Sequence, residues 1–156
     1  MTIIESMENV AAYIKEAVAE YSAEQASGRK KIEVYAGFPP VRTSRDETPS
    51  CVYCVPTEVN DSAEGASDVK IMIGISVYDA DKDTGGRALY NLAEHIRQAL
   101  LKKRILGGRN RLILPLKTEI PTEQPFPEWV GVITATYTIA FIEEEGIDYD
   151  ETFDHV

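Results

Sequence analysis

Residues 69–78 (VKIMIGISVY) alternate strictly, and this run constrains the fold more than any other. Ile71, Ile73, Ile75 and Val77 fall on one face of an extended chain, and Met72, Gly74, Ser76 and Tyr78 on the other. A strand with one wholly branched aliphatic face needs an apolar cover from the same chain, because burial of such side chains drives folding. Two segments offer it. In residues 2–26, Ile3, Met7, Val10, Ile14, Ala17 and Tyr21 recur at steps of four and three, which predicts a helix with one apolar stripe. Thr2 and Glu5 fit a capping box at its start, and Ser27-Gly28 a stop at its end. In residues 87–105, Leu89, Leu92, Ala93, Ile96 and Leu100 form a second stripe opposite Glu94, Arg97, Gln98 and Lys102. The last turn of this second helix is basic, and Gly107-Gly108 is expected to cap it.

The remaining β-prone stretches are 31–35 (KIEVY), 51–55 (CVYCV), 111–120 (RLILPLKTEI) and 129–142 (WVGVITATYTIAFI). Pro56 is expected to end the second of them or to place it at a sheet edge, and Pro115 to make the third irregular. Residues 41–50 and 60–67 read as loop and turn, and 121–128, with three prolines, as an extended loop. The order helix, three strands, helix, two strands predicts an α+β fold. It is a mostly antiparallel sheet of about five strands, order α-β-β-β-α-β-β, with both helices on one face. Residues 1–142 form one domain in this reading. Residues 143–156, with seven carboxylates, form an acidic tail expected to be mobile until a partner orders it.

A chain of 156 residues can bury a sufficient core without disulfide or metal. Lys and Arg number 16 against 26 Asp and Glu, a formal charge of -10, which repels phosphate backbones and argues against a dedicated nucleic-acid or anionic-membrane binder. No apolar run approaches the roughly 18 residues of a membrane span. The opening MTIIESMENV lacks the basic and apolar regions of an export signal, so a cytoplasm with reduced thiols is the expected setting.

No catalytic, cofactor-binding or metal-ligating set emerges from the motifs. Cys51 and Cys54 make a CxxC without a second ligand pair, and on a strand residues three apart point to opposite faces. Structural thiols are the better reading. His95 sits on the flank of the second helical stripe; it is the one candidate around which a small enzyme or ligand-binding site could be built. Asp79, Asp81 and Asp83 alternate like a calcium loop, but Thr84 and Tyr90 hold the positions where glycine and a bidentate glutamate belong. Gly85-Gly86 and Gly107-Gly108 match no phosphate-binding spacing. Candidate contact residues are Arg42 and Arg45 in the 41–50 loop, the basic run Lys102, Lys103, Arg104, Arg109 and Arg111, and Phe126 and Trp129 after the prolines. The tail carboxylates Glu143, Glu144 and Glu145 complete the set. Separate basic and acidic surfaces suit head-to-tail packing of identical subunits.

Three segments, 69–79, 88–101 and 125–137 (PFPEWVGVITATY), within this element order resemble the tail-terminator, or tail-completion, proteins of long-tailed bacteriophages and prophages. The resemblance implies a non-enzymatic virion assembly protein without cofactor. It further implies a homo-oligomeric, hexameric ring that stops tail-tube growth and docks the head-tail connector, with DNA only passing through the lumen. Its partners would be itself, the tail-tube protein and the connector, and its place the host cytoplasm during assembly and then the virion. Other neck or tail-tube components share this size and composition.

Overall fold

A computed structural model describes residues 1–24, 31–41, 50–140 and 142. The elements in chain order are α1 (Ile3–Glu24), β1 (Glu33–Ala36), β2 (Cys51–Asp61), β3 (Ser67–Tyr78), α2 (Gly85–Lys102), β4 (Ile105–Leu106), β5 (Asn110–Glu119) and β6 (Glu128–Ile139). The strands form one six-stranded sheet in the order β1-β2-β3-β6-β5-β4. The α+β class stands, and the strand count rises from about five to six.

The added strand explains a second correction. Ile105-Leu106 is too short to show periodicity, yet it pairs antiparallel with Asn110 and Arg111. Gly107 and Gly108 turn the chain between them with φ of +61° and +78°, a region that side chains with a Cβ avoid. The glycine pair therefore closes a hairpin and does not cap α2. The helix ends at Lys102, and Lys103 is already extended with its N–H donated to the Ala99 carbonyl. Lys103 and Arg104 thus lie past the helix end.

The sheet is mostly antiparallel as expected, with β1 pairing with β2 in parallel, Glu33 opposite Cys51 through Ala36 opposite Cys54. Parallel neighbours need a crossover of about a dozen residues or more, and residues 37–50 provide that length. The remaining pairings are antiparallel. Pro56 does not end β2. The strand continues to Asp61 with its register shifting between Pro56 and Glu58, so the proline sits at a bulge. The expected 60–67 turn is correspondingly shorter, closed by the Ser62 N–H on the Ala66 carbonyl at 2.8 Å. A register shift between Ile113 and Lys117 brackets Pro115, the irregularity expected of β5. β6 ends at Ile139, short of the expected 142.

Helix formation follows the stripes. The capping box forms at α1, where Glu5 N–H donates to Thr2 Oγ1 at 3.2 Å and Thr2 N–H to Glu5 Oε2 at 2.8 Å. Val10, Ile14 and Val18 of α1 and Leu89, Leu92, Ile96 and Leu100 of α2 pack on one face of the sheet. That face is built of cross-strand rows such as Cys54–Ile73–Ile133, with Ile71 beside Ala135 and Val69 beside Tyr137. Each fully buried aliphatic side chain here contributes about 1.5–3 kcal/mol. The opposite face, with Tyr53, Met72, Val132 and Thr134, is only half-buried and points away from both helices. Among the described residues no helix is long and apolar enough to cross a membrane.

One core group is an anomaly. Tyr137 is fully buried, and its hydroxyl has no hydrogen-bond partner among the described residues. Burial, then nearby Cys54 and Tyr13, push its phenol well above the ordinary tyrosine value. An orphaned buried hydroxyl costs about 1–3 kcal/mol. Tyr137→Phe is therefore expected to leave stability unchanged or raise it by about 1 kcal/mol. Urea unfolding checks this, and a loss of about 1 kcal/mol or more would reveal a partner for the hydroxyl.

Candidate functional site

The two helices run side by side and leave a groove of about 150 Å³ between their solvent edges, lined among others by Tyr13, Glu16, Glu20, His95, Gln98 and Lys102. His95 Nε2 lies 2.8 Å from the Ala17 carbonyl. A carbonyl only accepts, so Nε2 carries the proton and donates it across the helix pair. The ring also packs on Tyr21 at a centroid distance of 5.1 Å. One turn away Tyr13 donates its hydroxyl to the Ala99 carbonyl at 2.7 Å. Burial, then the carboxylates of Glu20 and Glu16, raise the Tyr13 phenol pKa. Both aromatic groups therefore act as struts between α1 and α2. The hydrogen bond of His95 is to main chain, not to a nucleophile or carboxylate.

The two cysteines are buried, and they point to opposite faces as the strand period requires. Cys54 faces the helices beside Ile73, where burial pushes its thiol up to about 12. Cys51 lies on the other face opposite Ser76. The acidic turn is spent on itself. Asp79 Oδ1 accepts the Asp81 N–H at 2.9 Å, Asp81 Oδ1 the Asp83 N–H at 2.8 Å, and Asp79 Oδ2 the Thr84 hydroxyl at 2.9 Å. Among the described residues no three His, Cys, Asp or Glu are grouped to hold a metal.

Trp129, the second residue of β6, lies under the N-terminus of α2. Its Nε1–H donates to the Asp79 carbonyl at 3.0 Å, and its indole lies against Gly85 and Gly86. The tryptophan fastens the acidic turn to the sheet. Phe126 is different: it is 43% exposed, stands edge-on to Trp129 at 6.0 Å, and carries Lys82 Nζ 5.1 Å over its ring. Phe38 and Val41, after β1, are more exposed still.

The structure gathers the basic run at one corner. Lys102, Lys103, Arg104, Arg109 and Arg111 are all exposed around the end of α2 and the β4–β5 hairpin. The corner stands on a buried polar joint, where the Ser6 hydroxyl donates to Asn110 Oδ1 at 2.5 Å. Sequence reasoning overlooked the counterpart, the β2–β3 hairpin with Glu58, Asp61, Glu64 and Asp68. Its signal was four carboxylates against one lysine over residues 57–70, hidden by treating 60–67 as plain turn. Arg42, Arg45, Glu143, Glu144 and Glu145 lie outside the described residues, as does His155.

No protein family matches the chain, and no curated protein does. Among solved structures, a chain from the virion of a native gene transfer agent (GTA) particle is similar. It is 19% identical with a TM-score of 0.39, and the match covers 85% of this chain and 96% of that one.

Proposed function

We propose that this chain is a non-enzymatic virion assembly protein of the phage type. In the finer reading it is a tail terminator that forms a ring of identical subunits, caps the tail tube and receives the head connector. The observation that carries the reading is spatial. The three segments of resemblance, 69–79, 88–101 and 125–137, correspond to β3, α2 and the proline loop with β6. β3 and β6 are hydrogen-bonded neighbours at the centre of the sheet, and α2 packs on both. The shared pattern therefore marks one contiguous unit, not scattered matches. Around that unit the polar groups serve as struts and locks, which suits a protein whose work is geometric.

Light scattering coupled to size exclusion tests the proposal, with the chain alone over a range of concentrations and then with tail tubes. Ring-sized particles, alone or on tube ends, are the expected result. A strict monomer at every concentration that also ignores tubes would end the reading.

A further inference from the structure

Resting on that assembly reading, we infer that the basic corner of one copy receives the acidic β2–β3 hairpin of a second copy, head to tail. Residues 102–111 contain five cations and no acid. None of the five forms an ion pair among the described residues. Arg104 Nε donates to the Leu101 carbonyl at 3.1 Å and Lys103 Nζ stands 5.4 Å from the Tyr13 ring centroid, contacts that orient both cations without neutralising them. Among the described residues, Glu58 is the one carboxylate of the acidic hairpin in an ion pair, to Lys70 at 2.8 Å. Asp61 accepts the Ser67 hydroxyl at 2.6 Å and Asp68 the Thr138 hydroxyl at 2.8 Å, which position the carboxylates.

The two hairpins flank the end of β6 and do not cancel each other. Asp68, Thr138 and Arg111 share one cross-strand row, with the threonine between the charges and no ion pair across it. Two different patches of opposite sign on one subunit permit a heterologous contact, the kind that closes rings. Strand addition is a poorer route. β1 has only four residues, and β5, which β4 covers only at Asn110 and Arg111, carries Pro115, Lys117 and a register shift against β6, devices that blunt sheet edges. Charged hairpins held by a buried Ser6–Asn110 joint and a tight turn are pre-organised for side-chain contact.

Carbodiimide coupling of mixed 14N and 15N chains tests the inference, since it joins carboxylate to amine without a spacer and isotope mixing identifies links between copies. Links from Asp61 or Glu64 to Lys102 or Lys103 are expected, weakening as salt rises. Arg109→Glu with Arg111→Glu, or Asp61→Lys with Glu64→Lys, should each cut inter-copy coupling by about tenfold or more. All four changes in one chain should restore it, as should an equimolar mixture of the two double variants, which excludes misfolding as the cause. Undiminished association in both double variants overturns the inference and leaves the assembly reading standing. A chain ending at residue 142 that no longer couples, with the hairpin reversal silent, assigns the corner to the acidic tail and also overturns it. If no inter-copy link forms and the chain stays monomeric on tail tubes, both fall.

Discussion

Replacing Gly85 with alanine is expected to cost about 2–4 kcal/mol, whereas alanine at Gly86 is expected to be neutral or stabilising. Neither glycine has a positive φ, so backbone strain does not separate them. Space does. A Cβ at Gly85 would fall 2.1 Å from Trp129 Nε1 and 2.3 Å from Cε2, whereas at Gly86 the nearest indole atom is 3.7 Å away. The indole cannot retreat freely, because its N–H is committed to the Asp79 carbonyl and its edge meets Phe126. Overpacking costs about 1–3 kcal/mol, and the lost hydrogen bond adds about 1. At Gly86, in contrast, the ordinary gain of alanine over glycine in a helix, about 0.5–1 kcal/mol, is unopposed. Trp129 is the sole tryptophan, so its emission reports the displacement directly. A red shift and an early denaturant midpoint are expected for Gly85→Ala and neither for Gly86→Ala. Equal behaviour of the two variants would refute the close packing.

Ile73→Ala is expected to remove about 2–5 kcal/mol, a large share of the roughly 5–15 that a domain of this kind possesses. Ile73 is fully buried in the centre of β3, between Cys54 and Ile133, with both helices above the row. Its neighbours belong to different strands and helices, so the site cannot collapse around a smaller side chain. Val132→Ala, on the half-buried opposite face, should lose well under half as much. Urea unfolding of both variants checks the pair, and similar losses would mean that the faces are equally covered.

These expectations separate what was legible in the sequence from what was not. The alternation in residues 69–78 and the stripes of the two helices depend on period alone, and their buried faces in the structure are the faces that period assigned, except at Ile3, which stands exposed in the first turn of α1. The capping box was equally local. What was not legible depends on partners distant in the chain. Parallel or antiparallel pairing of β1 depends on where its neighbour lies, not on KIEVY itself. Pro56 breaks a ladder on paper, but the register of β3 absorbs it as a bulge. Gly107-Gly108 has the same signature whether a helix or a hairpin precedes it, and only the two residues of β4 decide. The candidate contacts divide in the same way. The basic corner followed from a contiguous run, whereas the indole lock needed Asp79, Gly85 and Trp129 to be brought together from separate elements.

The order β1-β2-β3-β6-β5-β4 has a consequence for how the molecule is made. The two halves of the sheet meet only along β3 and β6, and β3 is complete at Tyr78 whereas β6 begins at Glu128. A ribosome therefore releases an aliphatic strand whose second neighbour has yet to be synthesised, and that open edge waits while all of α2, β4 and β5 emerge. Closure of long-range pairs is slow, and an unpaired aliphatic edge is a nucleus for aggregation. A cell making many copies at once would have to keep nascent chains apart until the last strand arrives.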